Sequence, residues 1–238
     1  MTKNIVRFAT VMALAMLLAL LTSCGTSKPA RFYKMYPTVA ELARPSPKTV
    51  ASANMSVVVG PVEVPAYLDR PQIVTRMAGS EIGYAEYDRW AGSLQGNIAD
   101  VLVEDMSSTL AGEGVSVHPW ALRVPSDYRV QVRIHEFEGY PGKSVKLNAA
   151  WTVIAPAESK VIVSRRSVIE KDVQGQGYAA YVDAMNGALA ELSRQISDVL
   201  DMKRQVPEII QMERSQSLVT VIKEIQKVLQ SGKNYKGI

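Results

Sequence analysis

The side chains best suited to acid–base chemistry are His118 and His135, the only two imidazoles among the 238 residues. An imidazole titrates near neutral pH and can serve as a general base or as a metal ligand. The two histidines fall in different predicted strands, and His135 sits in the alternating pattern YRVQVRIHEF, where we expect a half-buried packing residue. With one cysteine and no histidine pair at helical spacing, the chain has no transition-metal ligand set. We expect neither a metal nor a cofactor.

Nucleophiles and paired carboxylates give no stronger signal. No serine lies in a GxSxG or SxxK motif, which are local signatures of serine hydrolases. Glu136 and Glu138 flank Phe137 and so share one face of a strand, where we expect them to be solvated rather than to act as a glycosidase pair. The glycines of GQGY, at 175–178, can cradle a phosphate ahead of a helix, but we interpret them as a turn. The sequence offers no active site.

The N-terminal segment has the composition of an export signal. Lys3 and Arg7 supply positive charge, and residues 8–21 form an unbroken apolar run. No acidic residue precedes Glu41. A transmembrane helix needs about 20 apolar residues, whereas the apolar part of a signal peptide has about 7 to 15. We therefore predict that residues 1–23 are a signal peptide.

The only cysteine, Cys24, follows this run directly. The sequence LTSC, which ends at Cys24, resembles a bacterial lipobox, in which small residues precede the cysteine that is lipidated and becomes the mature N-terminus. Two or more acyl chains hold a protein stably on a membrane, so we expect Cys24 to be a lipid anchor. The alternative is a buried small hydrophobe. Gly25 and Thr26 follow without an aspartate, which by analogy with lipoprotein sorting favours the outer membrane.

The remaining chain is nearly balanced in charge. Without residues 1–23 it has 25 basic and 23 acidic side chains, so the pI of 9.1 overstates its charge and we expect no nucleic-acid partner. Residues 24–52 are rich in Ser, Thr, Pro and Lys, and we interpret them as a lipidated tether with a short strand at 31–35. At about 3.3 Å per residue, such a tether could reach tens of ångströms from the bilayer.

A single domain is predicted at 53–202. The predicted strands are 55–64, 72–76, 115–117, 128–137, 144–155 and 160–170, of which the last three form an antiparallel meander. Apolar residues at helical spacing predict one helix over 94–110, with Ser93 as its N-cap, and another over 178–200. The expected fold is α/β or α+β, with a mixed or antiparallel sheet and two main amphipathic helices packed on it.

A C-terminal extension is predicted at 203–238. Pro207 is expected to interrupt the second helix. Beyond it, Leu218, Ile222, Ile225 and Leu229 follow one helical stripe, with lysines nearby. This amphipathic helical tail could pack on its own domain, on a neighbouring subunit or on anionic lipid.

Two segments rich in aromatic residues and arginine are candidates for protein contacts. They contain Tyr67, Leu68, Asp69 and Arg70 in the loop PAYLDRP, and Tyr87, Arg89 and Trp90 in YAEYDRW. Tyr, Trp and Arg are enriched in binding hot spots, so we expect subunit or partner contacts there, with Arg89 and Trp90 in a turn. The alternative is that Trp90 closes one end of the core.

The blocks GPVEVPAYLDRPQIVTR and YDRWAGSLQGNIADVL are distinctive, and HPW, DYRVQVRIHEFEG and SRRS follow them in order. Together with the lipobox they resemble the ABC-type transport auxiliary lipoproteins of the PqiC type, as far as about Leu200. The resemblance implies an α/β domain in a non-enzymatic lipoprotein on the periplasmic face of the outer membrane of a Gram-negative bacterium. It also implies a homo-oligomeric ring. The implied partners are a periplasm-spanning MCE-domain protein and its inner-membrane permease, which together transport lipid.

The resemblance implies that Cys24 is the lipid anchor and that the loop at 67–70 and the turn at Arg89 and Trp90 are candidate subunit or partner contacts. It implies no role for residues 203–238. The residues leave two other functions open. One is a membrane-tethered periplasmic lipid hydrolase or transferase, which would need a cleft that joins a serine or an aspartate to His118 or His135. The other is a structural lipoprotein that binds peptidoglycan, for which the sequence has no motif.

Overall fold

The computed structural model describes residues 3–5, 7–9, 11–12, 28–38 and 55–232, with side chains as far as Gln205. Cys24 lies outside the described residues, as do most of the predicted signal peptide and residues 39–54. The predictions of export and lipid attachment therefore concern a part of the chain that the structure does not describe.

The described chain contains eight strands in two sheets. The strands are β1 (Arg31–Tyr33), β2 (Met55–Glu63), β3 (Gln72–Arg76), β4 (Ile82–Trp90), β5 (Val115–Pro119), β6 (Tyr128–Tyr140), β7 (Ser144–Ala155) and β8 (Lys160–Asp172). The larger sheet has the order β5-β2-β6-β7-β8 and the smaller sheet β1-β4-β3. In the larger sheet β2 is parallel to both β5 and β6, while β6, β7 and β8 form the expected antiparallel meander. The mixed α+β fold is confirmed, although the strands divide between two sheets where one was expected.

Strand β4 is the element that the sequence did not predict. It contains the segment in which Arg89 and Trp90 were expected to form a turn, and that prediction is wrong. Its register against β3 is irregular: Gln72 pairs with Arg89, but Val74 pairs with Tyr84. A distance of two residues along β3 therefore corresponds to five residues along β4. Because a strand pattern depends on strict alternation, this irregularity hides β4 from the sequence.

Two helices cover the larger sheet. Helix α1 spans Leu94–Leu110, and the Oγ of Ser93 accepts a hydrogen bond from the N–H of Gly96 at 3.2 Å, as expected of an N-cap. A short 3-10 turn follows α1 and ends at Gly114, whose φ is +69°. Helix α1 contacts β2 and β5, while helix α2, Gly177–Gly232, contacts β7, β8 and α1. The core lies between these helices and the sheet.

Helix α2 runs without interruption through Pro207, so the predicted break is wrong. A proline removes one backbone hydrogen bond and crowds the preceding turn, but the helix continues on both sides. Arg204 fixes this part of α2 to the end of α1, because its Nη2 lies 2.6 Å from Oε2 of Glu113. As far as Gly232, the predicted C-terminal extension is thus a continuation of the helix that closes the domain.

Tyr181 on α2 connects both sheets. Its side chain is fully buried, and its hydroxyl accepts the N–H of Gly139 on β6 at 2.7 Å and donates to the carbonyl of Val74 on β3 at 3.1 Å. Burial raises the pKa of Tyr181, so this hydroxyl keeps its proton at neutral pH. The side chain therefore fixes the position of the small sheet relative to the large one.

Candidate interaction surface on the small sheet

A buried carboxylate holds the loop between β2 and β3. The side chain of Glu138 on β6 is 1% exposed, and its Oε1 lies 2.7 Å from Nη2 of Arg76 on β3. Its Oε2 accepts the hydroxyl of Tyr67 and the N–H of Phe137, both at 2.8 Å. Burial, followed by the hydrogen bond to Glu138, raises the pKa of Tyr67, and the same carboxylate raises the pKa of Arg76. Because both groups remain protonated at neutral pH, the cluster is a structural clamp.

The prediction that Glu136 and Glu138 form a solvated pair is wrong for Glu138. By register Glu138 lies opposite Lys146 on β7, and the loop that carries Tyr67 covers it. Glu136 is partly exposed, and its Oε2 lies 2.7 Å from Nζ of Lys146. The hydrogen bond to Lys146 lowers the pKa of Glu136. Alternation along β6 cannot reveal that a loop more than sixty residues earlier covers one carboxylate and leaves the other accessible.

The loop residues predicted as contacts have different environments. Leu68 is 1% exposed and belongs to the core. Its N–H and that of Asp69 both donate to the carbonyl of Pro65, which closes a tight turn. Asp69 is exposed, and the guanidinium carbon of Arg70 lies 3.9 Å from the ring centroid of Tyr84 on β4. A cation over an aromatic face at this distance is attractive, so Arg70 and Tyr84 hold each other at the surface.

The residues predicted on β4 also divide between core and surface. Trp90 is 5% exposed and lies in the core, in agreement with the alternative interpretation. Arg89 and Tyr87 are partly exposed, and the Nε of Arg89 donates to the carbonyl of Glu86 at 3.4 Å. Of the seven predicted contact residues, Leu68 and Trp90 are thus internal and can act only by supporting their neighbours.

Phe32 on β1 is a surface residue that the sequence analysis missed. Register places Phe32, Arg89 and Gln72 side by side across the three strands. The ring of Phe32 is 65% exposed and that of Tyr84 is 46% exposed. We call Phe32, Arg70, Tyr84 and Arg89 the aromatic–arginine face. The apolar run RFYKMY was the available signal, but its position inside a proline-rich segment assigned it to the tether.

Strand β1 is fixed to the domain at several points. The predicted strand in this segment is confirmed, and Asp88 on β4 binds both Arg31 and Tyr33 at 2.8 Å. Asn97 on α1 then donates to the carbonyl of Met35 at 3.0 Å and accepts its N–H at 2.7 Å. The segment up to Met35 is therefore part of the folded body. Residues 25–30 separate Cys24 from this part of the folded body, whereas the predicted tether spans 24–52.

The histidines lie on the larger sheet, His118 in β5 and His135 in β6. His135 is exposed on the same face of β6 as Gln131 and Arg133, so the expected half-buried position is wrong. It lines a shallow groove of about 260 Å³ in which Glu63 and Arg133 form an ion pair at 2.7 Å. The only hydroxyl among the residues lining that groove belongs to Thr152, so it does not unite a serine with an imidazole.

Two general properties hold for the described part of the chain. Within it, no group of three or more His, Cys, Asp or Glu side chains could hold a metal ion. Within the same ranges, no helix is both long and apolar enough to cross a membrane.

Several solved structures share this fold. One is a crystal structure of an uncharacterized protein, 21% identical, which matches 73% of this chain and 99% of its own with a TM-score of 0.61. Another is XCC0632 from Xanthomonas campestris, 17% identical, which matches 75% of this chain and 99% of its own with a TM-score of 0.60. No curated protein matches the chain significantly.

The family match places the chain among bacterial lipoproteins. More particularly, the chain belongs to the family of ABC-type transport auxiliary lipoprotein components, whose sequence model matches residues 38–197. The matched segment includes both predicted contact segments, all strands except β1, and helix α2 as far as Ser197.

Proposed function

We propose that this protein is the outer-membrane lipoprotein subunit of an MCE/ABC-type intermembrane lipid transport system. In this role it forms a homo-oligomeric ring, anchored on the periplasmic face by acylated Cys24. The ring anchors or receives the periplasm-spanning MCE-domain protein and thereby supports envelope integrity. The protein contributes binding and positioning rather than catalysis. The observation that carries the proposal is the family match over residues 38–197, because that family is an auxiliary component of ABC-type transport.

The N-terminal sequence supports the proposed location. The apolar run ends on Cys24, and Gly25 and Thr26 follow without an aspartate. Since residues 31–35 are fixed to the domain, the connection to the anchor is short, and the domain must remain close to the bilayer. A protein that receives the distal end of a periplasmic tube needs this position.

The exposed members of the predicted contact segments are the proposed subunit or partner contacts. They are Asp69, which is exposed, and Arg70, Tyr87 and Arg89, which are partly exposed, with Tyr67 behind them in the clamp. Arginine and tyrosine combine large contact area with hydrogen bonding, which explains their enrichment at interfaces. Leu68 and Trp90 fix the backbone beneath this surface from the core.

The proposal predicts specific co-purification. The tagged, acylated protein is extracted from envelopes in mild detergent, and proteins that come with it are identified by mass spectrometry. We expect an MCE-domain protein and its permease, and we expect the double variant Arg70→Ala/Arg89→Ala to lose most of the MCE-domain protein. The matched control is Arg165→Ala/Arg194→Ala, which removes two exposed arginines from β8 and α2.

The control should retain its partners. Recovery of the wild-type protein without any MCE-domain protein would contradict the proposed function. Equal loss in both double variants would instead show that the predicted contact residues are wrong.

A further inference from the structure

We infer that the β1 edge of the small sheet rests on the membrane surface. Phe32 enters the headgroup region, and Lys28 and Lys34 lie beside it in the chain. The domain then has a second membrane contact besides the acyl chains, and this contact sets its orientation. The inference rests on the proposed acylation of Cys24 and goes beyond the proposed function, which leaves the orientation open.

The first step is the length of the connection. Six residues, 25–30, separate Cys24 from Arg31. At most about 3.6 Å per residue, seven Cα-to-Cα steps span no more than roughly 25 Å. A domain of about 150 residues has a radius of gyration of about 15 Å and is roughly 40 Å across. The connection is shorter than the domain, so the side that carries β1 must face the bilayer.

The second step is that β1 cannot detach to lengthen the connection. Its three residues pair with β4, and Asp88 binds Arg31 and Tyr33 from that strand. Immediately after β1, both backbone groups of Met35 are bound by Asn97, and Met35 itself is 1% exposed. Releasing β1 would therefore expose a core side chain and leave the buried carboxylate of Asp88 without its ion-pair partner.

The third step is the exposure of Phe32. Phe32 is 65% exposed. Its strand neighbours Arg31 and Tyr33 both bind Asp88, so they lie on the opposite face of β1. Aromatic side chains are favoured where hydrocarbon meets headgroups, and peripheral proteins use exposed phenylalanine in this way. Exposure of the Phe32 ring to water is unfavourable, and the headgroup region within reach of the anchor is a more favourable environment for it.

The fourth step is charge. The segment KPARFYK, at 28–34, contains three exposed basic residues and no acidic one. Asp88, 8% exposed, pairs with Arg31, and Asp100 and Glu104 on α1 line one pocket with Lys34. Lys28 is therefore the basic residue of this segment with the fewest carboxylates around it. Basic side chains beside a bilayer are attracted to anionic lipids over about a Debye length. Phe32 and Lys28 are therefore the groups of this edge that best suit a membrane with anionic lipid.

Because acylated Cys24 already holds the protein on the membrane, a weak contact at β1 is sufficient to set the orientation of the domain. A binding event within a short connection is intramolecular, and its effective concentration is on the order of millimolar. The acylated protein should accordingly stay on the membrane whether or not this edge touches the lipid. The test must therefore measure orientation rather than binding.

The sequence provides a clean labelling experiment. Since Cys24 is the only cysteine, a cysteine introduced into the acylated protein is its only free thiol. Phe32→Cys is labelled with an environment-sensitive fluorophore and reconstituted in phosphatidylethanolamine/phosphatidylglycerol vesicles that carry a headgroup-region spin-labelled lipid. The matched control is Val168→Cys on β8, where the native side chain is 60% exposed.

We expect blue-shifted emission and severalfold stronger quenching by the spin-labelled lipid at position 32 than at position 168. An acylated, vesicle-bound protein with no lipid quenching at position 32 would overturn the inference. So would a blue shift at position 32 in the Cys24→Ser chain without vesicles, because a second copy of the protein would then cover this edge.

Intact mass and vesicle flotation of the same sample test the anchor separately. A chain that is not acylated and does not float overturns the inference together with the anchor. Partner binding is measured on a different sample, so a failure of the transport proposal does not change the quenching result.

Discussion

Replacing Gly139 with alanine should destabilise the domain by at least about 4 kcal/mol, at the severe end of single-residue effects. A Cβ at this position would lie 2.6 Å from the Cα of Val145 and would overlap the carbonyl oxygen of Ser144. Both are backbone atoms of β7, which directly opposes β6 here. The backbone of Gly139 also cannot move away freely, because its N–H binds the hydroxyl of Tyr181.

Urea unfolding of the mature chain, followed by circular dichroism, measures this effect. Gly112→Ala is the matched control, because no atom lies within 4 Å of the Cβ it would add. An exposed substitution of this kind changes stability by about 0.5 kcal/mol or less. Equal midpoints for the two variants would contradict the close approach of β6 and β7 at Gly139.

Replacing Arg76 with alanine should cost about 3 kcal/mol. The carboxylate of Glu138, 1% exposed, would keep its bonds to Tyr67 and the N–H of Phe137 but would lose Arg76, the one described cation within 3 Å of it. Breaking a buried ion pair on one side leaves an uncompensated charge, which typically costs about 3 to 5 kcal/mol. The part of Arg76 that is exposed to solvent places the expected value at the lower end of that range.

The same unfolding experiment distinguishes a buried charge from lost packing. Adding Glu138→Gln to Arg76→Ala removes the charge, and we expect the double variant to be more stable than Arg76→Ala alone. The control is Arg194→Ala, which breaks two exposed ion pairs on α2 and should cost less than about 1 kcal/mol. If Arg76→Ala and Arg194→Ala cost the same, the Glu138 clamp does not hold the loop.

Local patterns predicted most of the elements correctly. The alternating sequence of β6 and β7 and the apolar spacing of α1 and α2 are short-range signals, and the structure confirms the strands and helices that they predict. The cap at Ser93 is also local, since its partner is three residues away. The β1–β4 pairing joins segments more than fifty residues apart, so no periodicity within either segment could predict the second sheet.

In the candidate surface, too, the environment of a side chain depends on contacts with residues that are distant in sequence. Composition alone cannot distinguish a tryptophan in an interface from one in a core, and Trp90 proves to be internal. Glu138 looks like any solvated strand carboxylate until the loop that carries Tyr67 folds over it. Phe32 was assigned to a tether because it lies in a proline-rich segment. Its strand has only three residues, and Asp88, which is distant in sequence, fixes the position of that strand.

The native mass of the detergent-extracted protein, measured beside that of Cys24→Ala, tests the proposed anchored ring most directly. We expect the same large, discrete oligomer in both samples and acyl mass only on the wild type. That result would mean that the folded domain builds the ring and that the thiol only fastens it to the membrane. Monomers in both samples, at concentrations well above those in the envelope, would contradict the ring and reopen the question of an enzymatic role.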